Sequence, residues 1–166
     1  IPPTADAPPA FKTQEVIDLF ATTGVFTPAE LASRFEVYAE QYVLSIEVEA
    51  KLVVDMAKTI IFPAASNYLM DLASTHAGMS QIGIDFDKSS AEAVARESNA
   101  MMAAVAKLSN ALENENFAST EDHMQFLAND VCDLMVEVRA HADALEGEVS
   151  DDMWPLAKYR EMLFIK

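Results

Sequence analysis

The sequence contains one cysteine, Cys132, among its 166 residues. No intrachain disulfide can therefore form, and a Cys-x-x-Cys metal or redox site is excluded. A single thiol fits a reducing compartment, so we expect a cytoplasmic protein. Cys132 stands beside the apolar Val131 and Met135 in a predicted helix, where a cysteine is more often a small core residue than a reactive thiolate.

Glycine is also scarce, with four in the whole chain. The phosphate-binding patterns G-x-x-x-x-G-K-[ST] and G-x-G-x-x-G do not occur, and neither does the zinc-binding pattern H-E-x-x-H. The sequence therefore predicts no phosphate-binding loop.

Basic residues are few, since 11 Lys and Arg face 27 Asp and Glu, and the net charge is -16. This charge repels phosphate backbones and anionic membrane surfaces, so we expect no nucleic acid partner and no membrane partner. No apolar run approaches the roughly 20 residues of a spanning helix. We therefore expect a soluble domain.

Hydrophobic residues are abundant and make up 51% of the sequence. This is enough for the core of one globular domain, which we predict to be helical. Helix signals are frequent: Thr27 and Glu30 form a capping box with Pro28 between them, and Gly24 ends the preceding helix. No alternating strand pattern occurs. We predict helices over about 13–22, 28–62 with a continuation over 64–74, 89–113 and 120–146, and a loop over 77–87.

The predicted fold class is all-α, an antiparallel helical bundle or hairpin built on one very long helix. Pro63 either kinks this helix or ends it, and we expect a kink because helical pattern resumes directly after it. Residues 1–12 are rich in proline and resemble a linker from an upstream domain, which leaves 13–166 as a helical C-terminal domain. A processed secreted protein is the alternative interpretation of this N-terminus.

One stripe of the long helix is predicted to be buried. Its members recur at steps of three and four: Leu31, Phe35, Tyr38, Tyr42, Ile46, Glu49, Val53, Met56 and Ile60. Glu49 needs a partner if it is buried, and Arg96, Arg139 or a residue outside the chain are the candidates. By contrast, Glu47, Lys51, Asp55 and Lys58 have the spacing of a surface charge ladder.

A di-metal site in a helical bundle requires Glu-x-x-His motifs. The residues three before His76, His123 and His141 are Ala73, Thr120 and Val138, so that motif is absent. Glu137 and His141 are four apart and could share a divalent ion, but such pairs are usually solvated salt bridges. The sequence predicts no catalytic, cofactor-binding or metal-binding residue.

Two stretches carry a resemblance to a known family. They are GVFTPAELASRFEVYAEQYVLSIEVEAKLVVDMAKTIIFPAA and the ending DDMWPLAKYREMLF. Both resemble the C-terminal region of type III glutamine synthetases. The matching features fall on 24–26, 33–36, 42–43, 49–57, 62–64, Trp154, Pro155, Tyr159 and 163–164.

The resemblance implies a parent enzyme that uses ATP and divalent metals such as Mg²⁺ to join ammonia to glutamate. It places the active-site residues in upstream domains, so it assigns no functional residue here. It also implies that the domain packs against the rest of the parent chain and neighbouring subunits in a homo-oligomer. A free-standing helical interaction module is the first alternative, and an independent helical-bundle enzyme is the second.

Overall fold

The computed structural model describes residues 4–163, and in this range it is all-α, with 81% helix and no strand. Its α-helices are α1 (Gln14–Thr23), α2 (Pro28–Met56), α3 (Phe62–Gln81), α4 (Ser89–Leu112), α5 (Thr120–Phe126), α6 (Cys132–Glu148) and α7 (Tyr159–Leu163). The predicted fold class is confirmed. No helix of the described range is long and apolar enough to cross a membrane.

Local sequence signals end α1 and start α2 as predicted. The backbone N–H of Thr27 donates to Glu30 Oε2 at 2.7 Å, and the N–H of Glu30 donates to Thr27 Oγ1 at 3.3 Å, which completes the capping box. Gly24 follows α1 with a left-handed φ of 67°. There the N–H groups of Gly24 and Val25 donate to the carbonyls of Ala21 and Phe20, as in a Schellman motif.

Pro63 does not end the long helix, which runs over 54 residues through α2 and α3. The two α-helices are joined by a π-helical turn, Ala57–Ile61, in which the N–H of Phe62 donates to the carbonyl of Ala57. This wider turn lies directly before Pro63, whose ring would clash with the preceding α-helical turn. A second π-helical turn, Leu127–Val131, joins α5 to α6 and was not predicted.

Residues 4–12 differ from the extended geometry expected of a linker. Thr4–Asp6 and Pro8–Lys12 are 3₁₀-helical, and Ala5 and Pro8 are buried. Lys12 Nζ lies 2.6 Å from Glu121 Oε2 and 3.7 Å from the ring centre of Phe35. This segment therefore packs on α2 and α5, and its connection to an upstream domain stays a prediction. The remaining linker residues, 1–3, lie outside the described range, as does Phe164.

The chain divides into two compact units, each with its own core. The first contains residues up to Leu52 together with Leu108–Met135. Its fully buried large side chains are Leu31, Phe35, Leu108, Met124, Leu127 and Val131. On α2 the buried positions continue through Ala39, Val43 and Ala50, whereas Tyr38 is 40% exposed. Beyond Phe35 the predicted stripe is exposed at Tyr38 and Glu49 and half-buried at its other members, because small alanines occupy the most buried positions of the helix.

The second unit contains Val53–Lys107 and the residues from Val136 onward. Its core includes Val94, Met101, Val105, Val138 and Leu145. Trp154, the only tryptophan, is 8% exposed, and within the described residues its indole N–H has no hydrogen-bond partner.

The predicted loop over 77–87 begins too early, because α3 continues to Gln81. Gly83, with a φ of 79°, ends it in a second Schellman motif, with Ile84 N–H on the carbonyl of Met79. Asp87 precedes α4 and accepts hydrogen bonds from the backbone N–H and the hydroxyl of Ser89, the first residue of that helix. The last long helix, predicted to end at about residue 146, reaches Glu148.

Candidate functional site

The titratable side chains that the sequence singled out for metal binding take separate partners. Glu137 Oε1 accepts from Lys107 Nζ at 2.6 Å, while His141 Nδ1 lies 2.9 Å from Glu97 Oε2. Among the described residues no three His, Cys, Asp or Glu side chains are grouped so that they could hold a metal ion. Glu137 and His141 therefore belong to two separate hydrogen-bonded pairs in the second unit.

Glu97 is held by two side chains, His141 and Arg96. Its other oxygen, Oε1, lies 3.0 Å from Arg96 Nε. The hydrogen bond with His141, followed by the one from Arg96, lowers the pKa of Glu97 below its ordinary value. Because each carboxylate oxygen has its own partner, this cluster has the character of a structural clamp between α4 and α6.

Glu47 and Glu49 of the long helix are placed only partly as the sequence predicts. Glu47 and Lys51 form the predicted i,i+4 pair, with 3.1 Å between Oε2 and Nζ. Glu47 also lies 3.4 Å, through Oε1, from His123 Nε2, and it is only 28% exposed. Glu49 is exposed, so the prediction that it lies on the buried stripe is wrong and it needs no buried partner. The proposed partners Arg96 and Arg139 pair instead with Glu97 and Asp143.

Cys132 is half-buried in the first unit, as a core cysteine would be. Burial raises the pKa of its thiol, and a hydrogen bond with Tyr42 opposes that shift. Burial and then the neighbouring Cys132 raise the pKa of Tyr42 as well. A thiol with a raised pKa carries little thiolate at neutral pH, so this pair is not built for nucleophilic chemistry.

The most unusual surface feature of the first unit is a row of exposed apolar side chains on α2. We call Val37, Leu44, Val48 and Leu52 the exposed row; these side chains are 55%, 63%, 66% and 54% exposed. Their spacing puts them within about 80° of one another on the helix surface. They face away from the buried positions of α2, and contiguous exposed apolar surface of this kind marks interaction sites.

Depressions flank the exposed row on both sides. The first groove has a volume of about 430 Å³, and its lining residues are Glu40, Val43, Leu44, Glu115, Phe117, Ser119, Thr120 and His123. The second groove, of about 380 Å³, is lined by Ala7, Pro8, Phe11, Tyr38, Gln41, Tyr42 and Ser45. A shallow depression lies between the two grooves and shares lining residues with both. It shares Leu44 with the first groove, and Gln41 and Ser45 with the second.

Aromatic and charged groups fix the wall of the first groove. The rings of Phe117 and His123 stack with centroids 4.1 Å apart and planes 8° from parallel. Glu47 Oε1 lies 3.4 Å from Nε2 of the imidazole. Ser119 precedes α5, and its Oγ accepts a hydrogen bond from the N–H of Asp122. This wall is therefore preformed, with the exposed Glu40 and Glu115 at its edge.

Sequence reasoning did not find this surface. The signal was present as apolar residues at 37, 44, 48 and 52, on the side of the helix opposite the core. It was overlooked because α2 carries apolar residues on most of its circumference, and periodicity alone does not tell which side is covered.

Comparison with known proteins gives the chain its lineage. The family model described as "Glutamine synthetase C-terminal domain" matches residues 1–80. A type-3 glutamine synthetase of Dictyostelium discoideum is 30% identical over 177 residues, which cover 100% of this chain and 24% of that protein.

Two bacterial glutamine synthetases are also similar. The protein of Bacteroides fragilis (strain YCH46) is 28% identical over 151 residues, covering 86% of this chain and 21% of the relative. That of Butyrivibrio fibrisolvens is 27% identical over 172 residues, covering 96% and 23%.

The chain spans about a quarter of the length of these relatives, and it matches their C-terminal part. The two resembling stretches described above lie inside the aligned regions, because the alignment with the Dictyostelium protein covers the whole chain. The chain therefore belongs to the type III glutamine synthetase family, as its helical C-terminal domain.

Proposed function

We propose that this domain is a non-catalytic part of a type III glutamine synthetase and that it supports packing or assembly of the oligomeric enzyme. The parent is an ATP- and Mg²⁺-dependent ligase that joins ammonia to glutamate in the cytoplasm. In this proposal no residue of this chain binds ATP or a metal ion. Their task is to present a rigid helical surface to the rest of the enzyme.

The exposed row on α2 is the observation that carries the proposal. Val48 is 66% exposed and Leu44 is 63% exposed, although both stand on a helix whose opposite side is well packed. Burying such a side chain against a partner is worth about 1.5–3 kcal/mol. An assembly surface accounts for this exposure, whereas a catalytic role would require convergent polar groups.

The test compares the full-length synthetase with a version that lacks this domain. We expect the truncated enzyme to sediment as smaller species and to lose glutamine formation in proportion to the oligomer lost. Analytical ultracentrifugation and a γ-glutamyl transfer assay on the same samples measure both quantities. A truncated enzyme with an unchanged oligomer and full activity would contradict an assembly role.

A further inference from the structure

We propose that the exposed row of α2 and the two grooves beside it form one docking surface for the ligase portion of the same enzyme. The complementary surface carries an apolar centre with Lys or Arg at its rim. This inference rests on the proposed function, which it deepens by naming the contact surface and the chemistry of its partner.

The shape of the surface favours a protruding partner segment. Leu44 and Val48 form a ridge, and the groove on each side accepts side chains, about 430 Å³ on the Phe117 side and about 380 Å³ on the Phe11 side. The shallow depression along the ridge meets the second groove at Gln41 and Ser45 and the first groove at Leu44. An amphipathic helix lying along α2 would place one apolar side chain in each groove and cover the ridge between them.

The charges around the ridge identify the rim of the partner as basic. Glu40, Glu49 and Glu115 are exposed at its edges. α2 contains two basic residues, Arg34 and Lys51. Arg34 lies 4.2 Å from the ring centre of Phe26, and Lys51 is paired with Glu47 at 3.1 Å. The rim of the docking surface therefore keeps an excess of negative charge.

The same charges disfavour a second copy of this chain as the occupant. Two copies meeting at this surface would bring Glu40, Glu49 and Glu115 of each against one another, within a pair of chains that each carry a net charge of -16. Like charges across an interface oppose association. About three quarters of the length of each relative lies outside the matched part, and that portion is the partner we assign.

The experiment places a photo-crosslinking p-benzoylphenylalanine at position 48 in the full-length synthetase. Val136 of α6, which is 65% exposed, takes the same residue in a matched control. We expect irradiation at position 48 to yield a crosslinked peptide from the ligase portion that contains Lys or Arg, as read by mass spectrometry. Crosslinks to residues 28–56 of a second copy, or no crosslink in the assembled enzyme, would overturn the proposal.

Charge and apolar contributions are separated by two variants of the full-length enzyme. Leu44→Lys with Val48→Lys should weaken assembly at least tenfold at any salt concentration, because it removes the ridge. Glu40→Lys with Glu115→Lys should weaken assembly at low salt and much less at high salt, because screening removes the attraction. Val136→Lys is the control and should assemble normally.

The outcomes also separate this inference from the proposed function. If removal of the domain dissociates the oligomer while Leu44→Lys with Val48→Lys assembles like the unchanged enzyme, the docking surface is refuted and the assembly role stands. If removal of the domain changes nothing but position 48 still crosslinks to the ligase portion, the contact stands and the assembly role fails.

Discussion

At the scale of single residues, Glu97 shows how the second unit uses charge. Its carboxylate is 18% exposed and joins Arg96 on its own helix to His141 on α6. A carboxylate with a lowered pKa stabilises the fold above its ordinary pKa of 4.5. This contribution is lost as the pH falls through the lowered value, because protonation then removes the acceptor for both partners.

Replacing His141 by alanine should raise the pKa of Glu97 toward its ordinary value. The hydrogen bond with His141 is the largest cause of the lowering, while the Arg96 contact remains and keeps part of it. Carbon-detected NMR titration of the Glu97 carboxyl measures the change directly. Glu30, which is held by Thr27, should titrate unchanged, and a Glu97 pKa that does not move would contradict the assignment.

Glu47 and Glu49 show which residue-scale features the sequence could predict. The pair between Glu47 and Lys51 followed from spacing alone and is confirmed. The partial burial of Glu47 and its contact with His123 could not be predicted from spacing. His123 is far from Glu47 in the sequence, and only the packing of α5 places the two side chains next to each other. The predicted position of Glu49 was wrong because the helix turns about 100° per residue, so a small error in the buried face exchanges exposed and buried positions.

At the scale of elements, the π-helical turns explain why the long helical patterns keep facing the core. Each turn holds one more residue than an α-helical turn and so corrects the drift of the apolar stripe. In the first π-helical turn Ile61 is 6% exposed, whereas the predicted stripe member Ile60 is only half-buried. The presence of the helices and most of their ends could be predicted from periodicity and helix-capping residues. A π-helical turn has no comparably strong signal in the local sequence.

Deletion of Asn129 should be tolerated because this exposed residue lies in the π-helical turn Leu127–Val131. The turn can become α-helical while Met124 and Val138 keep their buried faces. As a control, deletion of the exposed Arg139 within α6 rotates the following residues by about 100°. It should cost about 2–5 kcal/mol through lost burial of Leu145.

Chemical denaturation of both deletion variants, followed by circular dichroism, measures the difference. The interpretation of the π-helical turn fails if the Asn129 deletion destabilises the fold as much as the Arg139 deletion does.

At the scale of the whole molecule, the net charge of -16 governs association. Charge repulsion between copies acts over roughly 30 Å at 0.01 M salt and about 10 Å at 0.1 M. The exposed row therefore lies on a chain whose negative charge repels a second copy of the same chain. Composition alone predicted this repulsion, but the exposed row had to be seen in the fold.

The isolated chain should sediment as a monomer at low salt. Any self-association through the exposed row should appear only as salt is added, because screening weakens the repulsion while apolar contact persists. Sedimentation velocity at several salt concentrations tests this, with Val48→Lys as the variant that should stay monomeric throughout. A stable dimer at the lowest salt would contradict the role of charge.

Trp154 gives the second unit an optical reporter. It is the only tryptophan in the sequence, it is 8% exposed, and its indole N–H is without a hydrogen-bond partner within residues 4–163. All indole fluorescence of the chain therefore originates from one buried side chain, and we expect its emission to lie to the blue of a solvated indole. Its red shift on denaturation follows the opening of the second unit alone, and so separates the melting of that unit from the loss of total helix.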